Sequence, residues 1–189
     1  MNVIALLGSP RKGGNTDILA DAVLEGAREA GAQVAKVCLD DLRIRPIAEV
    51  GDVRAAREDT RSDDDFPAVL DRFLDAQVVV FATPVYWAGV SAQLKCFMDR
   101  ASAYFGRPGY AERFQGKGYV VVTAYGSPEP DHGKWVTEPM KTCVEFLGGQ
   151  YLGDLAVRAY KKGEVAEMAD ALDAARRLGA GAVSKMAQG

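Results

Sequence analysis

The chain is poor in the residues that build metal clips, disulfide frames and membrane anchors. Its three cysteines, Cys38, Cys96 and Cys143, are far apart and odd in number. That argues against a disulfide framework or a closely spaced metal clip and fits free thiols in a reducing compartment. The single histidine, His132, stands between Pro130-Asp131 and Gly133, a setting that reads as a solvated loop. No apolar run approaches the ~20 residues that span a bilayer. The apolar start at residues 3–7 is too short for a signal peptide and lacks a basic segment before it, so a cytoplasmic protein is expected. Neither sign of charge dominates. The 23 basic and 26 acidic residues are interspersed, with a net charge of −3, which speaks against a nucleic-acid surface. Two common nucleotide loops are also missing: the chain has neither G-x-x-x-x-G-K-[ST] nor G-x-G-x-x-G. With 189 residues, 48% of them hydrophobic, it suits one globular domain over 1–189.

What is present begins at Leu7-Gly-Ser-Pro-Arg-Lys-Gly-Gly-Asn-Thr16. This stretch follows an apolar strand-like segment and precedes a helix-like one. The first-turn N–H groups of a helix lack internal partners and carry the positive end of its dipole. A glycine-bearing loop at that point lets the backbone wrap an anion, most often a phosphate. Ser9 and Thr16 add hydroxyl donors, Arg11 and Lys12 add charge, and Asn15 or Thr16 can cap the helix. A single mononucleotide-sized phosphate site follows.

Apolar strand-like runs then alternate with amphipathic helix-like ones. Strands are expected at 3–7, 33–39, 78–82, 119–123 and 151–157, and helices at 17–30, 91–103, 138–147 and 164–182. Gly31 stands where a helix C-terminal glycine belongs, and Ser91 where a cap does. This alternation predicts a doubly wound α/β fold. Its five strands form a parallel sheet of flavodoxin-like order, 2-1-3-4-5, with helices on both faces. Ligands of such sheets sit at the carboxyl ends of the strands, so the loops after strands three and four should line the crevice that the first loop opens. They have suitable chemistry. Thr83-Pro-Val-Tyr-Trp-Ala-Gly89 offers Pro84, Val85 and the adjacent rings Tyr86 and Trp87 to a planar ligand. Ala124-Tyr-Gly-Ser-Pro128 offers Tyr125 and Gly126. Residues 40–66 are the irregular part, and Asp63-Asp-Asp65 reads as a solvated turn or helix start before Phe66-Pro67 in preference to a metal site.

Gly8-Ser-Pro-Arg-Lys-Gly-Gly-Asn-Thr16 followed by Thr83-Pro-Val-Tyr-Trp87, Val90-Ser-Ala-Gln-Leu-Lys95 and Met98-Asp-Arg100 closely resembles the NADPH-dependent FMN reductase family. The match is nearest to the branch that includes iron–sulfur flavoproteins. It covers residues 1 to about 155, and the last helix matches in kind only. The resemblance implies that Ser9, Arg11, Asn15 and Thr16, with backbone from Lys12 to Gly14, wrap the FMN phosphate. It places Pro84, Val85, Tyr86 and Trp87 along the isoalloxazine ring, and Tyr125 and Gly126 at the ring's dimethylbenzene or pyrimidine side. It also implies a homodimer or homotetramer in which a neighbour lends part of the site. One departure stands out. The iron–sulfur branch carries a compact cysteine run after strand two, where this chain has Ile47, Val50 and Val53. A cluster needs thiolates, so no iron–sulfur cluster is expected.

The chemistry implied is hydride transfer from NADPH or NADH to bound FMN and onward to a small acceptor: flavin, quinone, azo or nitro compound, or metal ion. No side chain in the sequence stands out as a catalytic acid or base. Two other readings remain open: an FMN electron carrier or FMN-binding module without NAD(P)H turnover, and a flavin-free interaction scaffold.

Overall fold

The computed structural model describes residues 1–47, 63–105 and 107–188. Five parallel strands form one sheet in the order β2-β1-β3-β4-β5, as expected. They are β1 Asn2–Leu7, β2 Gln33–Cys38, β3 Val78–Pro84, β4 Gly118–Tyr125 and β5 Gln150–Arg158. The helices are α1 Asn15–Glu29, α2 Phe66–Asp75, α3 Ala92–Phe105, the single turn α4 Ala111–Phe114, α5 Lys134–Phe146 and α6 Ala169–Gln188. No helix among the described residues is long and apolar enough to cross a membrane.

Valines dominate β3 and β4, which run through the middle of the sheet, and β3 is buried at every position because helices cover both of its faces. Alternation along β1 deals its side chains into two cores. Val3, Ala5 and Leu7 join Leu19 and Val23 of α1 and Ala175 and Val183 of α6. Ile4 and Leu6 join an aromatic core on the other face, built from Phe66, Phe73, Phe97, Phe114 and Tyr119. There Phe73 meets Phe97 edge-on at 5.5 Å and Phe81 stacks on Tyr119 at 5.8 Å. Such pairs add roughly 0.5–1.5 kcal/mol each beyond area burial.

Helices α1 and α6 touch backbone to backbone. A Cβ on Gly179 would lie 1.9 Å from the Val23 carbonyl oxygen, and one on Gly26 would lie 2.0 Å from that of Arg176. Only glycine permits that approach, and it fixes the axis of α1, the helix whose start follows the first loop.

Besides the unanticipated single turn α4, the structure departs from the sequence expectation in four places. Helix α2 was anticipated only as a start, yet Phe66, Val69, Leu70, Phe73 and Leu74 give it a full buried stripe. The closing helix comes in two pieces, a 3-10 turn at Glu164–Glu167 and then α6. Helix α5 begins a turn before residue 138. Pro139 is not in its first turn but inside it, where it lacks the N–H that would otherwise donate to the Trp135 carbonyl.

The fourth departure is Asp63–Asp65, which is not simply a solvated turn. The Asp64 side chain is fully buried and paired with the fully buried Arg100 guanidinium, which lies over the Phe66 ring at 4.2 Å. Burial would raise the Asp64 pKa. Hydrogen bonds from the Arg45 N–H, the Arg100 guanidinium and the Phe66 N–H outweigh it and hold the carboxyl below its ordinary value. Asp63 pairs with Arg43 and Arg45. These contacts join the two ends of the segment between β2 and α2. Val50 and Val53, two of the three positions where cysteines would stand, lie outside the described residues.

Two outcomes are expected. Gly179→Ala should lower the unfolding free energy by about 2–3 kcal/mol, read by urea denaturation, because helix α6 must move off α1. The second concerns Lys117, whose Nζ donates to the Leu74 carbonyl at 2.6 Å and to that of Ala76, and whose burial lowers its pKa to about 8. Between that value and the ordinary lysine value of ~10.4 the unfolded chain holds more protons, so this group's contribution to stability rises with pH. The thiols of Cys38 and Cys96, raised by burial, act in the opposite sense but equally in wild type and variant. The stability of wild type relative to Lys117→Met should therefore increase from pH 8 to 10 in parallel urea titrations.

Candidate functional site

The first loop is shaped by its backbone. Gly14 caps α1, and its N–H donates to the Arg11 carbonyl at 2.9 Å. A Cβ at Gly14 would come within 2.8 Å of that same oxygen. The N–H groups of Lys12, Asn15, Thr16 and Asp17 have no acceptor among the described residues. Converging donors at a helix start make an anion cradle. A carboxylate sits in the same turn, since Asp17 is buried and accepts from the Gly13 N–H at 2.8 Å. Its charge is offset by Lys36, whose Nζ lies 2.6 Å from both Asp17 and Asp21. Burial opposes the Lys36 charge, but the hydrogen bonds its ammonium donates to the two carboxylates prevail and raise its pKa.

The loops after β1, β3, β4 and β5 enclose a cavity of about 210 Å³. Ser9, Arg11, Gly14, Asn15 and Thr16 form its anion end, Pro84, Val85 and Tyr86 one side, and Ala124, Tyr125 and Gly126 another. Ten of the twelve residues singled out from the sequence therefore line one space. The other two do not. Lys12 turns to Asp41 at 2.8 Å, and Trp87 lines a second, outer cavity of about 400 Å³. That outer space shares Val85, Tyr125 and Gly126 with the inner one and is completed by Ala88, Ser127, His132 and Trp135. A hollow of about 470 Å³ between α1, β2 and α6, whose charged lining includes the pairs Glu25 with Arg176 and Asp21 with Lys36 together with Arg28, lies away from the strand ends.

The turn after β3 is unusual. Tyr86 and Gly89 exchange both backbone hydrogen bonds, at 2.9 and 3.0 Å, and the two residues between them are left-handed, Trp87 at φ 49° and Ala88 at φ 56°. Side chains there cost of order 1–3 kcal/mol each. The turn leaves Trp87 fully exposed. Thr83, buried below, accepts from the Ser91 N–H at 2.9 Å, and Ser91 in turn accepts from the Leu94 N–H as the cap of α3, as the sequence suggested.

Sequence reasoning missed the loop after β5, which adds Ala159, Tyr160 and Lys162 to the inner cavity. Its only glycine among residues 159–163 is the left-handed Gly163, and its place depends on Asn15. That residue does not cap α1, and neither does Thr16. Asn15 is the first helical residue, and its Nδ2 donates to the carbonyls of Lys161 at 2.8 Å and Ala159 at 3.3 Å, while its Oδ1 accepts from the Val165 N–H at 3.2 Å. The sequence read His132 as a solvated loop residue, and it does stand in a turn, though half-buried. It lies one residue before the Gly133 cap of α5, stacked on Trp135 with ring centroids 3.9 Å apart.

An anion cradle opening onto an aromatic-walled slot, at the carboxyl ends of a sheet of this order, defines a flavodoxin-like mononucleotide-binding protein. The chain belongs to the NADPH-dependent FMN reductase family, whose model matches residues 1–164. It is 28% identical over 182 residues, 94% of this chain and 96% of the relative, to YwqN of Bacillus subtilis, named as an NAD(P)H-dependent FMN-containing oxidoreductase. It is 35% identical over 130 residues to an iron–sulfur flavoprotein of Archaeoglobus fulgidus, a match that covers 68% of this chain and 58% of that relative. Among solved structures it resembles the Trp repressor binding protein from Bacillus subtilis, with a TM-score of 0.70, 26% identity, and 94% and 98% of the two chains covered.

Asn15→Ala should cost about 2 kcal/mol in urea denaturation, because it strands two carbonyls and an N–H. Hydrogen exchange should speed up in residues 159–165 before it does in the sheet.

Proposed function

We propose that this protein is an FMN-dependent NAD(P)H oxidoreductase that delivers electrons to a small acceptor. The observation that carries the reading is the continuity of the two spaces, an anion cradle with unpaired N–H groups leading into an apolar slot and then into an open, aromatic-lined one. These residues fit FMN. The cradle suits its phosphate, with Ser9, Thr16 and the N–H groups of Lys12, Asn15 and Thr16 as donors. Arg11 and Lys162 supply charge, and neither has a carboxylate partner among the described residues. Pro84, Val85 and Tyr86 would flank the flat ring on one side, and Tyr125 and Gly126 on the other. Bound FMN supplies two-electron chemistry between a hydride donor and an acceptor. The chain's part is to bind, orient and exclude water. No buried acid or base reaches into the inner cavity, so the protein's own contribution there is position and hydrogen bonding.

Purified protein mixed with FMN should quench the flavin's fluorescence and hold a yellow colour through gel filtration. Anaerobic NADPH should then bleach the visible band. Arg11→Ala and Lys162→Ala should each weaken FMN about tenfold and leave riboflavin, which has no phosphate, unchanged. A rise in the KM for NADPH over NADH in Arg11→Ala, with FMN affinity intact, would instead assign Arg11 to the 2′-phosphate of NADPH. Retention of FMN without bleaching would favour an electron carrier.

A further inference from the structure

We infer that Glu164 is a positioning residue of the phosphate end of the inner cavity: its carboxylate folds the loop after β5 so that the Lys162 ammonium meets the flavin's phosphate. The inference rests on the FMN reading and deepens it by naming what holds Lys162 in place.

Lys162 lines the cavity beside Ser9, Arg11 and Asn15. Neither its ammonium nor its N–H has a partner among the described residues. A lysine on a loose loop spreads its charge over many places, because its flexible stem adds to the freedom of the backbone below. Here the backbone before it is fixed. One oxygen of Glu164 accepts from the Tyr160 N–H at 2.8 Å and from the Lys161 N–H at 2.7 Å. The Glu164 N–H returns to the Lys161 carbonyl at 3.2 Å. Asn15 donates to that same carbonyl at 2.8 Å, so the peptide groups on both sides of Lys161 are held. Gly163, left-handed at φ 80°, then turns the chain into the 3-10 turn. It rests on the first loop, where a Cβ would lie 3.6 Å from the Gly13 carbonyl oxygen. Lys162 stands between these two fixed points.

A structural role and a positioning role separate here. Asn15 ties the loop to α1, whereas the Glu164 bonds close within the loop and reach only three and four residues back. Their loss detaches no helix or strand. What they fix is the backbone that carries Lys162. The charges are arranged to match. Hydrogen bonds from the Lys161 and Tyr160 N–H groups hold the Glu164 carboxyl below its ordinary pKa, and the charges of Lys161 and Arg158 act in the same sense. The carboxylate is thus engaged by its own loop, and the Lys162 ammonium is left for an anion. A donor held in place beforehand binds a phosphate without first having to arrest the loop.

The test titrates FMN and riboflavin against the full flavin-free chain and reads the quenching of flavin fluorescence. Glu164→Ala should weaken FMN about fivefold and leave riboflavin, which has no phosphate, unmoved. Glu164→Asp, too short to reach both N–H groups, should show the same split even if Glu164→Ala folds poorly. Glu164→Gln keeps an oxygen for both donors and removes a negative charge near the phosphate, so it should bind FMN at least as tightly as wild type. Because Glu164 acts through Lys162, the two losses should not add: the double variant Glu164→Ala, Lys162→Ala should bind FMN no more weakly than Lys162→Ala alone. Wild-type FMN affinity in both Glu164→Ala and Glu164→Asp would overturn the inference. So would equal weakening of FMN and riboflavin, which would make Glu164 a plain wall of the cavity. So would a Glu164→Gln variant as weak as Glu164→Ala, or additive losses in the double variant. Wild-type protein that takes up no FMN would overturn the proposed function, and this inference with it.

Discussion

The site depends on one carboxamide. Asn15 uses both faces of its side chain to tie the start of α1 to the loop after β5, donating to two carbonyls and accepting from one N–H. The partners lie 144 to 150 residues away along the chain. Without this tie the loops after β1 and β5 would each satisfy their polar groups with water, and the inner cavity would lose a side. With it, Tyr160 and Lys162 face the same space as Arg11 and Ser9. Asn15 is half-buried, so its amide gains from having all its partners, while each partner left unpaired away from water would be costly.

The electrostatics follow a similar economy. The protein is net acidic, and an acidic side chain, Asp17, sits in the first turn of the helix that should attract an anion. The conflict is resolved from the neighbouring strand. Lys36 of β2 holds Asp17 and Asp21 together, so the carboxylate's field is cancelled locally and the unpaired N–H groups set the sign at the loop. Lys12, the loop's own lysine, is spent on Asp41 and plays no part in this balance. On the other face, the buried Arg100–Asp64 pair does comparable work for the segment between β2 and α2, in a place where the sequence showed only a run of aspartates.

Most of the fold was legible because strand and helix periods alternate cleanly, and the sheet order followed from that alternation. The loops after β1, β3 and β4 were legible because glycine, proline and adjacent aromatics mark them. What escaped was long-range or conformational. Nothing local distinguishes Lys162 from any exposed lysine, since its place beside the cavity comes from a hydrogen bond that Asn15, 146 residues earlier, makes to the neighbouring Lys161. Trp87 and Tyr86 are neighbours in sequence, yet two left-handed residues turn them into different spaces. His132 read as solvated because Pro130-Asp131 and Gly133 flank it, and the start of α5 just beyond gives the imidazole a ring to lean on.

The backbone contact between Gly26 and Gly179 and the tie from Asn15 to residues 159–165 give the molecule an order of assembly. The anion loop leaves the ribosome well before the helix that fixes its axis and the loop that walls its cavity, whose contact with Asn15 spans 150 residues. A nascent chain carries the cradle long before it can close it. Closure of the cavity therefore belongs after translation of α6, and a stalled or shortened product would display the loop without its walls.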